Sequence, residues 1–285
     1  MTKSEFLSLI AAGPVLLDGA TGSNLMKAGL PRGVCTEQWN LEHPDAILAL
    51  QRAYAEAGSQ IVYAPTFTGS APYLAQHGLE DRLEEINARL VALSRQAVGD
   101  GVYVAGDMTT IGRPDVPYEE LLEVYTRQAK ALQAAGVDLF VIETMMGLEE
   151  TMAALEACKM VSEVPVMCTM SVTADGMLYF GGSVYDAAPQ LEGFGADAVG
   201  INCSCGPDQM LTVVRSLVGS LSVPVIAKPN AGMPVIDEKG NAVYSMGPEE
   251  FGVHMKTLYD VGARILGGCC GTDPDYIRAL KQQVK

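Results

Sequence analysis

Two short segments carry the residue types best suited to chemistry: Gly267-Gly268-Cys269-Cys270-Gly271-Thr272 and Gly200-Ile201-Asn202-Cys203-Ser204-Cys205-Gly206. Neighbouring cysteines bridge one another only with strain, and the glycines let backbone approach a bound group closely. If Cys203 faces the same space as Cys269 and Cys270, three thiolates converge. Soft sulfur donors select zinc, and three protein ligands with an open fourth position form the catalytic zinc arrangement. Cys205 competes with Cys203 for the third place; Cys203 lies nearer an expected strand end. A phosphate-binding turn is the rival reading of the glycine segment, although phosphate needs no thiol pair. Cys158 and Cys168 read as small buried hydrophobes, and Cys35 as the same or as a loop thiol.

Three acids stand where strands should end: Asp18, Asp107 and Glu143. Each can cap a helix or face a cationic ligand group, and residue type alone does not separate these roles. A capping or turn role is favoured for Asp107. His43, His77 and His254 lack metal-ligand spacing, which argues against a catalytic histidine.

The elements that must position these groups alternate. Apolar runs suit strands at Val15 to Ala20, Ile61 to Phe67, Val102 to Met108, Leu139 to Met145, Val164 to Ser171, Ala198 to Cys203, Val223 to Asn230 and Ala263 to Cys269. Amphipathic stretches lie between them: Pro44 to Ala57, Asp81 to Ala97, Tyr118 to Ala135, Leu148 to Val161, Asp208 to Leu217, Pro248 to Tyr259 and Pro274 to Val284, with Ser183 to Phe194 the weakest helical pattern. Small-residue and glycine steps at Ala57-Gly58, Ala135-Gly136, Phe194-Gly195 and Val261-Gly262 suit helix ends. Strand, helix, strand repetition implies parallel pairing. Eight such units are the content of a single (β/α)8 TIM barrel spanning 1–285, whose active sites lie at the C-terminal strand ends. An open doubly wound sheet fits less well, because the glycines after Leu17 lack G-x-G-x-x-G spacing, no helix is expected immediately after them and no linker divides the chain.

The chain has 285 residues, 34 acidic against 19 basic side chains and a net charge of -15, which opposes a nucleic-acid surface. No apolar run reaches the roughly 20 residues of a membrane span, and Leu7 to Ala12 is too short for a signal-peptide core. A cytoplasmic protein is expected, and an odd cysteine number suits metal ligation better than a disulfide framework.

The chain resembles the homocysteine S-methyltransferases, a family that includes betaine-homocysteine methyltransferase and the homocysteine module of cobalamin-dependent methionine synthase. The segments that carry the resemblance are Leu17-Asp18-Gly19-Ala20-Thr21-Gly22, Asn40-Leu41 with His43-Pro44, Thr66-Phe67, Ala105-Gly106-Asp107, Ile142-Glu143-Thr144, Gly200-Ile201-Asn202-Cys203, Lys228-Pro229-Asn230-Ala231-Gly232 and Gly267-Gly268-Cys269-Cys270-Gly271-Thr272. It implies a barrel holding zinc through Cys203, Cys269 and Cys270, with homocysteine thiolate at the open position. It also implies that Asp18, Gly19 and Glu143 hold the amino-acid end of homocysteine, and that Asn230 fills the fourth zinc position without substrate. The implied reaction forms methionine. A free thiol is mostly protonated at neutral pH, whereas the zinc-bound thiolate is the nucleophile, so no separate base is needed.

The implied methyl donor is a methylcorrinoid carried by a partner protein or a small sulfonium such as S-methylmethionine. A betaine-type donor is the alternative and calls for an aromatic cage. Thr68 is followed here by Gly69-Ser70 and Glu143 by Thr144, where the betaine enzymes carry aromatic residues; Trp39, Tyr63 and Tyr73 remain as possible aromatics. A non-catalytic barrel that binds zinc and an amino acid is the alternative of a different class.

Overall fold

A computed structural model describes residues 1–237 and 242–284. Its strands are β1 (Val15–Leu16), β2 (Ile61–Tyr63), β3 (Tyr103–Thr109), β4 (Leu139–Met145), β5 (Val166–Met170), β6 (Ala198–Asn202), β7 (Val225–Lys228), β8 (Pro234–Ile236), β9 (Ala242–Tyr244) and β10 (Ile265–Leu266). Eight of them form one sheet in the order β1-β10-β7-β6-β5-β4-β3-β2. Every paired neighbour in it is parallel. Between β1 and β2, Gln60 closes the seam: its N–H donates to Leu16 O at 2.7 Å, and its Oε1 accepts from Leu16 N at 3.0 Å. Ser59 Oγ donates to Leu17 O at 3.0 Å. The architecture is a (β/α)8 TIM barrel, not a doubly wound sheet.

Successive side chains in a strand point to opposite faces, so each strand feeds two apolar layers. Val15, Leu17, Ile61, Tyr63, Ala105, Leu139, Val141, Met167, Ala198, Ile226 and Ile265 fill the barrel interior. Phe140, Ile142, Cys168, Val199, Ile201 and Ala227, the alternating positions, join the layer under the helices. Cys158 and Cys168 are buried within that layer, as expected of small hydrophobes.

The crossover helices fall where the apolar period places them. Pro44–Ala57, Leu148–Val161 and Pro274–Val284 match the sequence boundaries, and the others shift by a few residues. The weak pattern at Ser183 to Phe194 does form a helix, Val184–Gly193, started by Ser183 Oγ accepting from Asp186 N and tolerating Pro189 inside it. Gly58, Gly136, Gly195 and Gly262 all take positive φ after helices.

β4 has the expected bounds and β3 the expected length, whereas the other barrel strands are shorter than the apolar runs, most clearly β1, β2 and β10, because the chain turns into loops once it passes the barrel rim. Against the expectation that no helix follows the glycines after Leu17, a short helix runs over Gly22–Lys27. The sequence reading also did not identify the helix Lys3–Ala11, held at its start by a reciprocal Thr2–Glu5 cap, whose Phe6 is buried among the interior residues. The β8–β9 hairpin also escaped it; three-residue strands with largely exposed side chains carry no burial signal.

Candidate active site

Counting by twos along the strands sets the site. From Val141 the inward row reaches Glu143, from Ala105 it reaches Asp107, from Met167 Thr169, from Ala198 Asn202, and from Ile226 Lys228. All five are buried, at the C-terminal end of the barrel, where this fold places its chemistry. The capping roles considered for Asp107 and Glu143 are therefore corrected: Asp107 lies within β3, Glu143 within β4, and Gly147 caps the helix after β4. Asp18 caps no helix either; its Oδ2 accepts from Tyr63 N at 2.7 Å across the seam.

Lys228 ties these acids together. Its Nζ lies 3.6 Å from Asp18 Oδ1 and 3.7 Å from Glu143 Oε2, above the Tyr63 ring at 4.5 Å from the centroid. These separations exceed hydrogen-bond length, so the ammonium offsets charge while the carboxylate oxygens keep accepting capacity. Asp18 Oδ1 and Asp107 Oδ1 are buried without a hydrogen-bond partner. Burial pushes Asp18 up to about 6 and Glu143 up to about 7, against the opposing charge of Lys228. Burial, then the Glu143 charge, drives Asp107 well above the carboxylate range. Burial works against the Lys228 ammonium, yet Glu143 and Asp18 outweigh it and keep it protonated.

The three thiols meet beside this acidic floor. Cys203, Cys269 and Cys270 place their sulfurs within 4.8 Å of one another, with Cys203 Sγ and Cys270 Sγ 3.5 Å apart. Hydrogen bonds, first from Cys203 and then from Cys269, draw the Cys270 thiol down to about 3. Hydrogen bonds with Cys269 and then Cys270, followed by burial, push Cys203 far above the thiol range. Cys205 is excluded from the group: it is buried in the apolar layer behind the rim.

Cys203 and Thr144 are the two non-glycine residues with positive φ among the described residues, at 48° and 61°. That conformation costs about 1 kcal/mol or more, and a neighbour must enforce it. Asn202 is that neighbour for Thr144. Its Oδ1 accepts from Thr144 N at 2.8 Å, and its Nδ2 donates to Glu143 Oε2 at 3.1 Å and Thr144 Oγ1 at 2.8 Å. Asn202 and Lys228 fell within sequence segments already singled out, yet neither was assigned a role; the period-two count from the strand cores is the signal that finds them.

Glycine is required at several close approaches. A Cβ on Gly268 would lie 2.4 Å from Thr272 Oγ1, and one on Gly19 would lie 2.7 Å from both Thr272 Oγ1 and Tyr54 OH. Thr272 Oγ1 also accepts from Ala20 N at 3.1 Å and donates to Cys269 O at 2.7 Å, which clamps the first and last strand ends together. Asn230 Oδ1 is buried without a hydrogen-bond partner. The three aromatics weighed for a cationic donor are engaged elsewhere: Trp39 packs on His43, Tyr63 lies under Lys228, and Tyr73 OH donates to Thr110 O.

The chain is similar to the methionine synthase of Mycobacterium leprae (strain TN), 29% identical over 305 residues covering 99% of this chain and 25% of that protein. It thus spans about a quarter of that relative's length. Among solved structures it is similar to the homocysteine methyltransferase MmuM from Escherichia coli. The oxidized form matches at TM-score 0.79 with 24% identity over 95% of this chain and 96% of that one. The metallated form matches at 0.79 with 23% identity over the same shares. At that identity the two structures attest the fold. The homocysteine S-methyltransferase model matches residues 15–284, from the first barrel strand through the thiol pair to the last helix, and the chain belongs to that family.

Proposed function

We propose that this chain transfers a methyl group to the sulfur of homocysteine, forming methionine, at a zinc held by Cys203, Cys269 and Cys270. The observation that carries the reading is the convergence of three sulfurs within 4.8 Å beside buried, under-partnered carboxylates. Three thiolates are a soft donor set suited to zinc and leave one position open. The similarity to a methionine synthase, and to a homocysteine methyltransferase solved in a metallated form, supports both parts.

In this reading Asp18 and Glu143 accept hydrogen bonds from the homocysteine ammonium, and Gly19 lets the substrate's carboxylate end approach the backbone. Lys228 balances the two acids before substrate arrives. When bound, zinc supplies the Lewis acidity that keeps the homocysteine sulfur a thiolate at neutral pH. The sulfur lone pair then forms the new S–C bond as the donor's bond to methyl breaks, its electron pair leaving with the donor. Asn230 Oδ1, buried and unpartnered, is the group suited to the open metal position in the absence of substrate.

The donor we propose is a methylcorrinoid brought by a protein partner or module, with a small sulfonium second. Met233, Val235, Ile236 and Val243 stand exposed on and beside the β8–β9 hairpin near the thiols. An apolar rim of this kind supports a protein-borne donor. The engagement of Trp39, Tyr63 and Tyr73 argues against a betaine cage. Among the described residues no helix is long and apolar enough to cross a membrane.

The test is methionine formation from homocysteine by zinc-loaded protein with methylcobalamin, S-methylmethionine, betaine and methyltetrahydrofolate in parallel, with metal content measured. About one zinc per chain and turnover with methylcobalamin or the sulfonium are expected. Full zinc occupancy without methionine from any donor would support the non-catalytic binding barrel instead.

A further inference from the structure

Two strands break their alternation where they reach the barrel mouth, and both breaks involve residues of the site. On β6, Ala198 faces the interior while Val199 and Ile201 join the outer layer, so Asn202 ends the inward row and Cys203 falls in the outward one. The turn at Cys203, with its φ of 48°, ends that alternation, and the sulfur lies 3.5 Å from Cys270 Sγ. On β4, Thr144 at φ 61° forms a bulge next to Glu143. Ile142 pairs with Cys168 and Met145 with Met170, so β4 holds one residue more than β5 over this stretch.

Asn202 joins the two breaks. Because β5 lies between β4 and β6 in the sheet, its side chain reaches across the inner side of β5 to the β4 bulge. It is fully buried, and its partners fix the orientation of the amide: Oδ1 accepts from the Thr144 N–H, while Nδ2 donates to Glu143 Oε2 and to Thr144 Oγ1. The Asn202 carbonyl oxygen accepts from Ser171 Oγ and from Ser204 Oγ, both at 3.0 Å. Cys203 N then donates to Lys228 O at 3.3 Å. One residue is thus held at its backbone and at its side chain, with Cys203 next to it in the chain and the Glu143 carboxylate at the far end of its amide.

We propose that Asn202 is a positioning residue which, on the homocysteine and zinc reading above, fixes the span between the Glu143 carboxylate and Cys203, so that the two ends of one substrate molecule are held at once. Homocysteine has to place its ammonium at Glu143 and its sulfur on the metal that Cys203 helps to hold. Two subsites add their binding energies only when they are rigid with respect to each other, since a loose span must be ordered at each binding event. Asn202 acts through Glu143 on one side and through Cys203 on the other. Its side chain serves the first and its backbone carbonyl the second, which makes the two roles separable by substitution.

The test compares zinc-loaded wild type with Asn202→Ala, which removes the amide and keeps the carbonyl bonds at the Cys203 turn. Metal content is measured, and each protein is titrated calorimetrically with homocysteine and, separately, with 2-mercaptoethanol, a thiol without an amino-acid end. The homocysteine Kd is expected to rise about tenfold in the variant, the effect of losing a hydrogen bond to a charged group. Zinc content and 2-mercaptoethanol affinity are expected to stay unchanged. Equal weakening of both thiols, loss of zinc, or an unchanged homocysteine Kd would overturn the positioning role. In a Glu143→Gln background, Asn202→Ala should weaken homocysteine less than it does in wild type, and full additivity would count against the link. Should Asn202→Ala fail to fold, Thr144→Gly tests the same link: glycine takes the positive φ without strain, and the Oγ1 acceptor is lost. A homocysteine Kd raised about threefold with 2-mercaptoethanol unaffected is then expected, and an unchanged Kd overturns the proposal. Wild type that binds neither zinc nor homocysteine would overturn the function proposed above and this inference with it.

Discussion

Among single residues, Asp18 carries the clearest measurable consequence. Burial raises its pKa from 3.8 to about 6. A carboxyl whose pKa is higher folded than unfolded binds extra protons in the folded chain over that interval, so folding loses stability as pH rises through it. Asp18→Asn lacks that loss. Relative to wild type, the substrate-free variant is therefore expected to gain up to about 3 kcal/mol between roughly pH 3 and pH 7, read by denaturant unfolding at both pH values. A constant difference would count against a burial-driven shift. The same variant is expected to raise the homocysteine KM about ten- to a hundredfold, the effect of weakening one charge-assisted hydrogen bond. Asp18, Glu143 and the three thiols were legible in the sequence because strand ends and thiol softness single them out. The choice of Cys203 over Cys205 was not settled there, since two residues of spacing at an uncertain strand end leave both possible.

At the scale of elements, the close packing of β6 against β7 admits little variation. Gly200 pairs with Ile226, and a Cβ there would lie 2.0 Å from Ile226 O, a backbone atom that cannot rotate away. Gly200→Ala must push the two strands apart, and with them Asn202 and Cys203. A loss of about 1–3 kcal/mol in denaturant unfolding is expected, together with weaker metal retention; an unchanged midpoint would show that the sheet accommodates the methyl. The crossover helices were legible because their apolar period runs over ten or more residues, whereas the shorter helices such as Lys3–Ala11 and Gly22–Lys27 were not. The β8–β9 hairpin was not, because a three-residue strand whose side chains face solvent leaves no periodic trace, although Tyr244 packs from it against Gly271, next to the thiol pair.

For the whole molecule, two apolar layers hold the barrel without help from the thiols, which sit at the rim beyond the interior residues. Removing metal with a chelator is therefore expected to leave the far-ultraviolet circular dichroism intact. The melting temperature should fall by several degrees and recover on adding zinc, since a ligand bound only to the folded chain stabilises it by mass action. Collapse of the dichroism on chelation would make the metal structural and argue against an open catalytic position.

The alternation of strand and helix, the closing glycines and the pairing of Cys269 with Cys270 are local properties, and the sequence determined them because period and residue type act within a few neighbours. Which thiol joins that pair, the cation between Asp18 and Glu143, and the hold of Asn202 on Thr144 and Glu143 depend on barrel closure. Residues 59 positions apart along the chain come into hydrogen-bond contact only when parallel strands share one register, and that register is set by packing of the whole sheet, which no single segment encodes.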